Sequence, residues 1–552
     1  MGHGEKPSID DLQPNLQLTS ELVVPTLLTI IEGDEATSVI SSATVSLAKI
    51  GAEACGERTA EVDAALRGLL DEGNQEISET AALCLGLFAR VESTPVLTGL
   101  LADTEGGRQL VGGGKVATRT RAFAAYGLGQ LARRVERAEI TSFVAQALVT
   151  AVDDKSTPDE VMLAALNALT ILPITDSKKL EESDVRVSPG SSRTALVRWL
   201  GEKCKSSELS DRVRAHAPRA MAIQASRGSA ELRDEAVGLL IGTLGAPRVD
   251  RELRYGAVMA LGLLGHAGPE AAHIRETLMR AFSRGDSTER HLALMSLGQL
   301  TSRPGPEALS AWETADEVEA FLRSQLSRGK SRAKPWVALA LGVQGSGQLS
   351  HERPLNEETR DALRTMSREC KSPADAGAYA IAIGLRSDIG AAELLRERLA
   401  SFADEQSRGD LSLALGLLGE VGNVPALQEI FSDAVYQPHL FSRVVIALTL
   451  CRDKSLVPTL VKEMNETDSS SIRAVHAWAL GLVGDGRAIE PLVELLKDEE
   501  QTTLLRIQVA NGLGFVCDQG QLPWSISLKQ AANYLTRAET LLGGSPSGVL
   551  EI

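Results

Sequence analysis

Residues Ile472 to Asp498 read IRAVHAWALGLVGDGRAIEPLVELLKD. Two short helical patterns lie in this stretch, one built on Ala-Leu-Gly and one on Pro-Leu-x-x-Leu-Leu, with a Gly-Asp-Gly turn between them. Versions of it recur along almost the whole chain, and a repeat has to be sought before any single motif because missing it misreads the fold. Aligned on the Gly of Ala-Leu-Gly, the copies fall at Gly86, Gly129, Gly262, Gly298, Gly342, Gly384, Gly416, Gly481 and Gly514. Degenerate copies centre on Ala48, Thr170, Gln224 and Thr449, which makes about thirteen units. From Gly384 onward the reference positions advance by 32, 33, 32 and 33 residues, whereas earlier steps stretch to about 36 to 54, so the first half is the same array with longer insertions.

Each unit carries a second amphipathic pattern before the Ala-Leu-Gly helix, as in ELVVPTLLTIIEGD from Glu21 and VPALQEIFSD from Val424. Pro25, Pro95, Pro425, Pro458 and Pro491 fall near the starts of these helices, where a missing N–H costs nothing. Arginine stands eight residues before the reference glycine at Arg121, Arg254, Arg290, Arg408, Arg473 and Arg506, with Lys334 standing in once. This combination resembles HEAT repeats, especially the short HEAT-like repeats of phycocyanobilin lyases, over roughly residues 20 to 540. The resemblance implies an all-α superhelix, a HEAT-like solenoid of about thirteen hairpins. It also implies that these six arginines form an inter-repeat ladder, with Asp250 near Arg254, Asp286 near Arg290 and Asp468 near Arg473. Ser78, Ala376 and Phe441 replace the arginine in three units.

The array is expected to span residues 21–518, with an acidic tail or cap over 1–20 and a C-terminal cap and tail over 519–552 that carries Trp524. Two insertions break it. Residues 104–119, TEGGRQLVGGGKVATR, read as a flexible Gly-rich loop. Residues 174–211 read as a basic excursion with its own apolar patch at Leu196, Val197, Trp199 and Leu200. From Arg186 to Gln224 there are eight Arg or Lys against three acids, so this segment is the preferred contact site for a partner, through Trp199, Arg198, Arg193, Lys203 and Lys205. Tyr126 and Tyr255, on the Ala-Leu-Gly helices, join them as candidate anchors. Three residues before the reference glycine, large side chains recur at Tyr126, Met259, Met295, Leu339, Ile381, Leu413 and Trp478, as core or as a surface. The Ala-Leu-Gly helices of several units contain no charge, so the array either curves tightly enough to cover them or shows an apolar groove.

Composition narrows the function. Aromatic residues make up 3% of the chain and the net charge is -16, which disfavours a base-stacking or phosphate-binding surface and predicts no nucleic-acid partner. Fifteen Asp or Glu against four Lys or Arg lie in Met1 to Thr80. Six scattered cysteines form no C-x-x-C pair, which suggests packed thiols and leans towards a cytoplasmic location. No apolar run reaches membrane-spanning length, and the start MGHGEKPSID lacks a signal-peptide core. For catalysis, one His-Glu pair, His351-Glu352, and one Glu-x-x-His, Glu270 to His273, fall short of the paired motifs a di-metal helical site uses. His476 reads as a core histidine. The expectation is a non-enzymatic scaffold for protein partners, with no catalytic, cofactor or metal residues. The alternative is a bilin-lyase-like or metal-dependent HEAT-repeat enzyme.

Overall fold

The computed structural model describes residues 16–33, 35–175, 188–453 and 455–518. Among these residues every regular element is helical. Thirteen hairpins follow one another, each an outer helix and then an inner helix that carries the reference position. The inner helices are Thr37–Ala54, Gln75–Phe88, Thr118–Val135, Asp159–Ile171, Ala217–Ser226, Arg251–Leu264, Ser287–Leu300, Lys334–Ser350, Pro373–Leu385, Glu405–Leu418, Pro438–Leu450, Ser470–Val483 and Thr503–Val516, belonging to units 1 to 13.

Local chemistry sets the helix ends. Asn74, Asp250, Asp286, Asp404, Ser469 and Thr502 accept N–H bonds from the first turns of their inner helices, satisfying donors that the helix leaves open. Pro95 and Pro425 occupy first-turn positions of outer helices. Gly484 ends the inner helix of unit 12 at φ 70°, a left-handed stop that glycine adopts without strain.

Inner helices pack side by side through small residues in a fixed register. The reference glycine of one unit meets the residue two before the reference position of the next: Gly262 meets Ser296, Gly342 meets Ala382, Gly416 meets Ala447 and Gly481 meets Gly512. The approach is close enough that a methyl group on Gly481 would lie 2.6 Å from the Gly512 Cα. Ser296 uses its place at such a joint to donate to the Val258 carbonyl of the preceding unit, 3.0 Å.

The array closes on itself. Gly514 of unit 13 meets Ser46 of unit 1, and Ser46 lies two before Ala48, so the joint repeats the internal register. Ser46 donates to the Ala510 carbonyl at 2.7 Å, in the same relative positions as Ser296 and Val258. Arg506 of unit 13 pairs with Glu35 of unit 1 at 2.6 Å, and Thr19 donates to the Cys517 sulfur at 3.6 Å. Arg134 of unit 3 overlies this joint, donating to the carbonyls of Ala48 and Leu87 and lying 3.8 Å from Asp518. The result is a ring of thirteen hairpins with its two ends in contact.

Side chains from one unit also cap the C-terminal carbonyls of the inner helix before it, groups a helix leaves unpaired. Gln224 donates to Leu169 and Leu172 and Arg303 to Gly265, while Arg386 reaches the mid-helix carbonyl of Leu341.

Two expectations about insertions change. Residues 104–119 are an ordered turn: Glu105–Gln109 is helical, and the Asp103 carboxylate accepts from Arg108 Nε and from the Val116 N–H, both at 2.9 Å. Within 174–211, residues 176–187 lie outside the described residues, but Arg193–Lys205 is no excursion. It is the outer helix of unit 5, and its apolar face of Leu196, Val197, Trp199 and Leu200 is buried against the array as every outer helix's is. The expected caps, including Trp524, lie almost wholly outside the described residues.

Candidate protein-binding surfaces

The hairpins form two concentric layers. Inner helices pack closely side by side, while outer helices touch each other sparsely, so the inner layer has the shorter circumference and surrounds the bore. Thirteen helices spaced about 8–10 Å apart give a circular wall with a mean radius of about 17–20 Å, and subtracting a helix radius of about 5–6 Å leaves a bore about 22–30 Å wide.

Side chains three before and one after the reference position face away from the outer layer. They form an apolar cluster separate from the main core: Leu339, Ile381, Leu385 and Leu417 are buried against one another, flanked by Met295, Val343 and Leu450. Curvature thus covers the large residues of units 8 to 10, whereas Tyr126, Met259, Met295 and Trp478 at the equivalent position keep partial exposure. Polar members of the face pair across units. Asn167 donates to the Tyr126 hydroxyl at 3.3 Å, and the His291 ring stacks on Trp336 with centroids 5.1 Å apart. The apolar helices noted in the sequence are therefore covered over one arc of the ring and open over another.

The residues singled out from the sequence are not brought together. Trp199 is 5% exposed, and its indole N–H donates to the Asp153 carboxylate at 3.2 Å, beside Lys203, which also pairs with Asp153. Arg193 is drawn inward, donating to the carbonyls of Arg227 and Ile174. Arg198 forms a two-pronged pair with Glu235 on the outer surface, and Lys205 is exposed nearby. Tyr126 and Tyr255 lie on inner helices of units 3 and 6, and the Tyr255 hydroxyl donates to Asp286 of the next unit at 2.7 Å.

The arginines eight before the reference position do not share one role. Arg254 pairs with Glu289 of the next unit at 2.7 Å, and Arg506 pairs with Glu35 across the closing joint. Arg121 and Arg473 instead donate to carbonyls at the end of their own outer helix, Leu101 and Thr467. Arg290 and Arg408 occupy the same position, half-buried. Asp250 and Asp286 are absorbed as N-caps, because a short carboxylate at the helix start reaches the free N–H groups of the first turn.

The groups that could do chemistry are mostly held in packing roles. His476 is buried, its Nε2 3.0 Å from Glu463 and its Nδ1 2.8 Å from the Ile472 carbonyl. His351 lies edge-on to Trp312. Burial lifts the thiols of Cys55 and Cys204 to about 12 and that of Cys517 to about 11. Among the described residues no three His, Cys, Asp or Glu side chains converge as metal ligands, and no helix is long and apolar enough to cross a membrane. A surface hollow of about 390 Å³ lies between units 8 and 9, beside Leu349, Ile383 and the Arg364–Asp388 pair.

One residue escaped the sequence reading. Lys49, directly after the reference position of unit 1, is 4% exposed with its ammonium 3.8 Å from the centroid of Phe515 in unit 13. The signal was present: Lys49 is the one charged residue found directly after any of the thirteen reference positions.

By fold the chain is an α-solenoid closed into a ring. Residues 440–514 match the family model for HEAT repeats. The match does not single out the phycocyanobilin-lyase type. No curated protein matches the sequence. Solved structures similar to it include importin beta crystallised from ammonium sulfate, at 11% identity over 96% of this chain and 78% of that chain, TM-score 0.40. Yeast importin-beta, Kap95p, is 13% identical over 91% of this chain and 69% of its own, TM-score 0.43. The karyopherin Kap121p, bound to the extreme C-terminus of the protein phosphatase Cdc14p, is 14% identical over 84% of this chain and 49% of its own, TM-score 0.39. At these scores the likenesses say nothing of this chain's own partners.

Proposed function

We propose that the chain is a non-enzymatic ring scaffold that binds protein partners, and that the inner face is its contact surface. The observation that carries this is the run of large apolar side chains along the bore, left partly open at Met259, Met295 and Trp478 while units 8 to 10 bury theirs. Aromatic and Met side chains on a concave surface are the residue types that anchor protein interfaces. The buried, high-pKa thiols and the core placement of His476 favour this reading over an enzyme. The net charge of -16 favours protein over nucleic acid. A location in a reducing compartment goes with the six unpaired cysteines.

A photo-crosslinking amino acid at Met295 or Trp478 tests the reading against one at Tyr436, which is 80% exposed between the helices of unit 11. Protein adducts are expected from the two inner positions. Adducts confined to position 436, or a purified protein that carries bound iron or a visible chromophore, would overturn it. Steeply salt-dependent binding to DNA or RNA would do the same.

A further inference from the structure

Of the thirteen joints between inner helices, twelve are spanned by the chain and one is not. Opening any of the twelve means moving helices that a hairpin still ties together, whereas opening the joint between units 13 and 1 breaks only that interface. The interface is built from the same parts as the others, Gly514 on Ser46 and Ser46 to Ala510, with the Arg506–Glu35 pair outside it. Its repeat pattern departs from the others at one position. Directly after the reference position the other twelve units carry Leu, Gln, Ile, Ala, Val or Phe, and unit 1 carries Lys49.

Closing this joint removes the Lys49 ammonium from water, a cost that contact with the Phe515 ring offsets only in part. The charged or titratable groups that act on it are Asp518 following unit 13, the Cys84 thiol of unit 2 and the Arg134 guanidinium of unit 3. Burial lifts Cys84 far above its ordinary range, so it stays neutral, and Arg134 opposes the attraction of Asp518.

We propose that the joint between units 13 and 1 is the gate of the ring, and that the buried Lys49 ammonium keeps this gate weak enough to open at neutral pH. The proposal stands whether or not the bore takes a protein partner. Its direction with pH follows from the lysine: burial lowers Lys49 from 10.5 to about 8, so the closed joint holds the proton less tightly than the open one. Protonation therefore favours opening. The gate is weakest below pH 8 and tightens as pH rises from there towards 10.5.

Hydrogen exchange on the full chain tests this, comparing amides of Thr37–Ala54 and Thr503–Val516 with those of Pro373–Leu385 and Glu405–Leu418 in mid-array. The end helices are expected to exchange faster than the mid-array helices at pH 7. Relative to mid-array, their opening should fall about tenfold between pH 7 and pH 9 in the natural chain, the ratio given by titrating one lysine between 8 and 10.5. Lys49→Met should slow end-helix exchange at pH 7 by about tenfold or more and remove the pH dependence. End helices that exchange no faster than mid-array, or a ratio unmoved by pH in the natural chain, would overturn the proposal. So would a Lys49→Met chain that behaves like the natural one.

Discussion

Replacing Gly514 by alanine tests ring closure itself. A methyl group there would lie 2.7 Å from the Ser46 Cα and 2.6 Å from its Cβ, about 1 Å inside ordinary carbon contact. Overpacking of this kind costs about 1–3 kcal/mol, which shifts an opening equilibrium by about 5- to 150-fold. Gly481→Ala provides the control, because its methyl would lie 2.6 Å from the Gly512 Cα in a joint that the chain spans. The strain is similar and the escape is not. In Gly481→Ala the helices remain tied by their hairpins, so the ring is expected to stay closed with units 12 and 13 locally weakened. In Gly514→Ala the ends can separate, so small-angle X-ray scattering should show a larger radius of gyration and lose the features of a closed ring. Amides of Thr37–Ala54 should lose protection in the same variant. Because a chain of this length need not unfold in one step, scattering and local exchange are the informative readouts rather than a single melting temperature. If Gly514→Ala leaves both unchanged, the ends do not pack in the register of the internal joints.

Three further outcomes follow from named contacts. Trp199→Phe keeps the ring but loses the bond to Asp153, so it should lower stability by about 1 kcal/mol in denaturant unfolding and leave partner capture unchanged; a chain equally stable but deficient in capture would return Trp199 to the list of partner contacts. Arg386 and Glu319, each 2% exposed and 3.2 Å apart, form a buried pair between units 9 and 8, and Arg386→Met strands the carboxylate at a cost of about 3–5 kcal/mol, visible as faster exchange of Lys334–Ser350. Adding Glu319→Leu should recover most of that loss. Iodoacetamide at pH 8 should add to Cys370 first by intact mass, since Cys55, Cys84, Cys204, Cys451 and Cys517 are all buried, with thiols pushed well above the usual range.

The thirteen units were legible because the constraint that makes them is local. A helix that must approach its neighbour's backbone needs a small residue at one position per unit, and Gly262, Gly342, Gly416 and Gly481 announce it at the same place in each unit. The outer helix of unit 5 was misread for an equally local reason. Arg193, Arg198, Lys203 and Lys205 give Arg193–Lys205 the look of a solvated insertion, although Leu196, Val197, Trp199, Leu200 and Cys204 make an ordinary buried face. Long side chains on a helix flank dilute its apolar pattern without changing where the helix sits. The ladder differs from expectation in its acidic partners, since Arg254 and Arg506 pair across units with Glu289 and Glu35. Spacing placed Asp250 and Asp286 within reach of arginines, but each stands at the start of its own helix, whose free N–H groups two or three residues on take the carboxylate. Closure was the least visible feature, since Ser46 and Ala510 are 464 residues apart and no local pattern reports their contact.

A signal of closure was nevertheless present in what the terminal units lack. In an open solenoid the first and last repeats expose a face that internal repeats bury, and they carry polar substitutions there to stay monomeric. Unit 13 instead ends on Gly512 and Gly514, the same pair of small residues that internal units use to receive a neighbour, and unit 1 offers Ser46 and Ala48 in return. Two faces built to be covered, one at each end of a single chain, are satisfied at low entropic cost by each other, because closing a loop grows dearer only slowly with its length and stacked hairpins already curve the ends together. Against that background Lys49 is the exception that carries meaning. It sits in the one joint where a penalty on closing can be relieved without breaking a hairpin, and a residue indifferent to the gate would have been equally well placed in any of the other twelve.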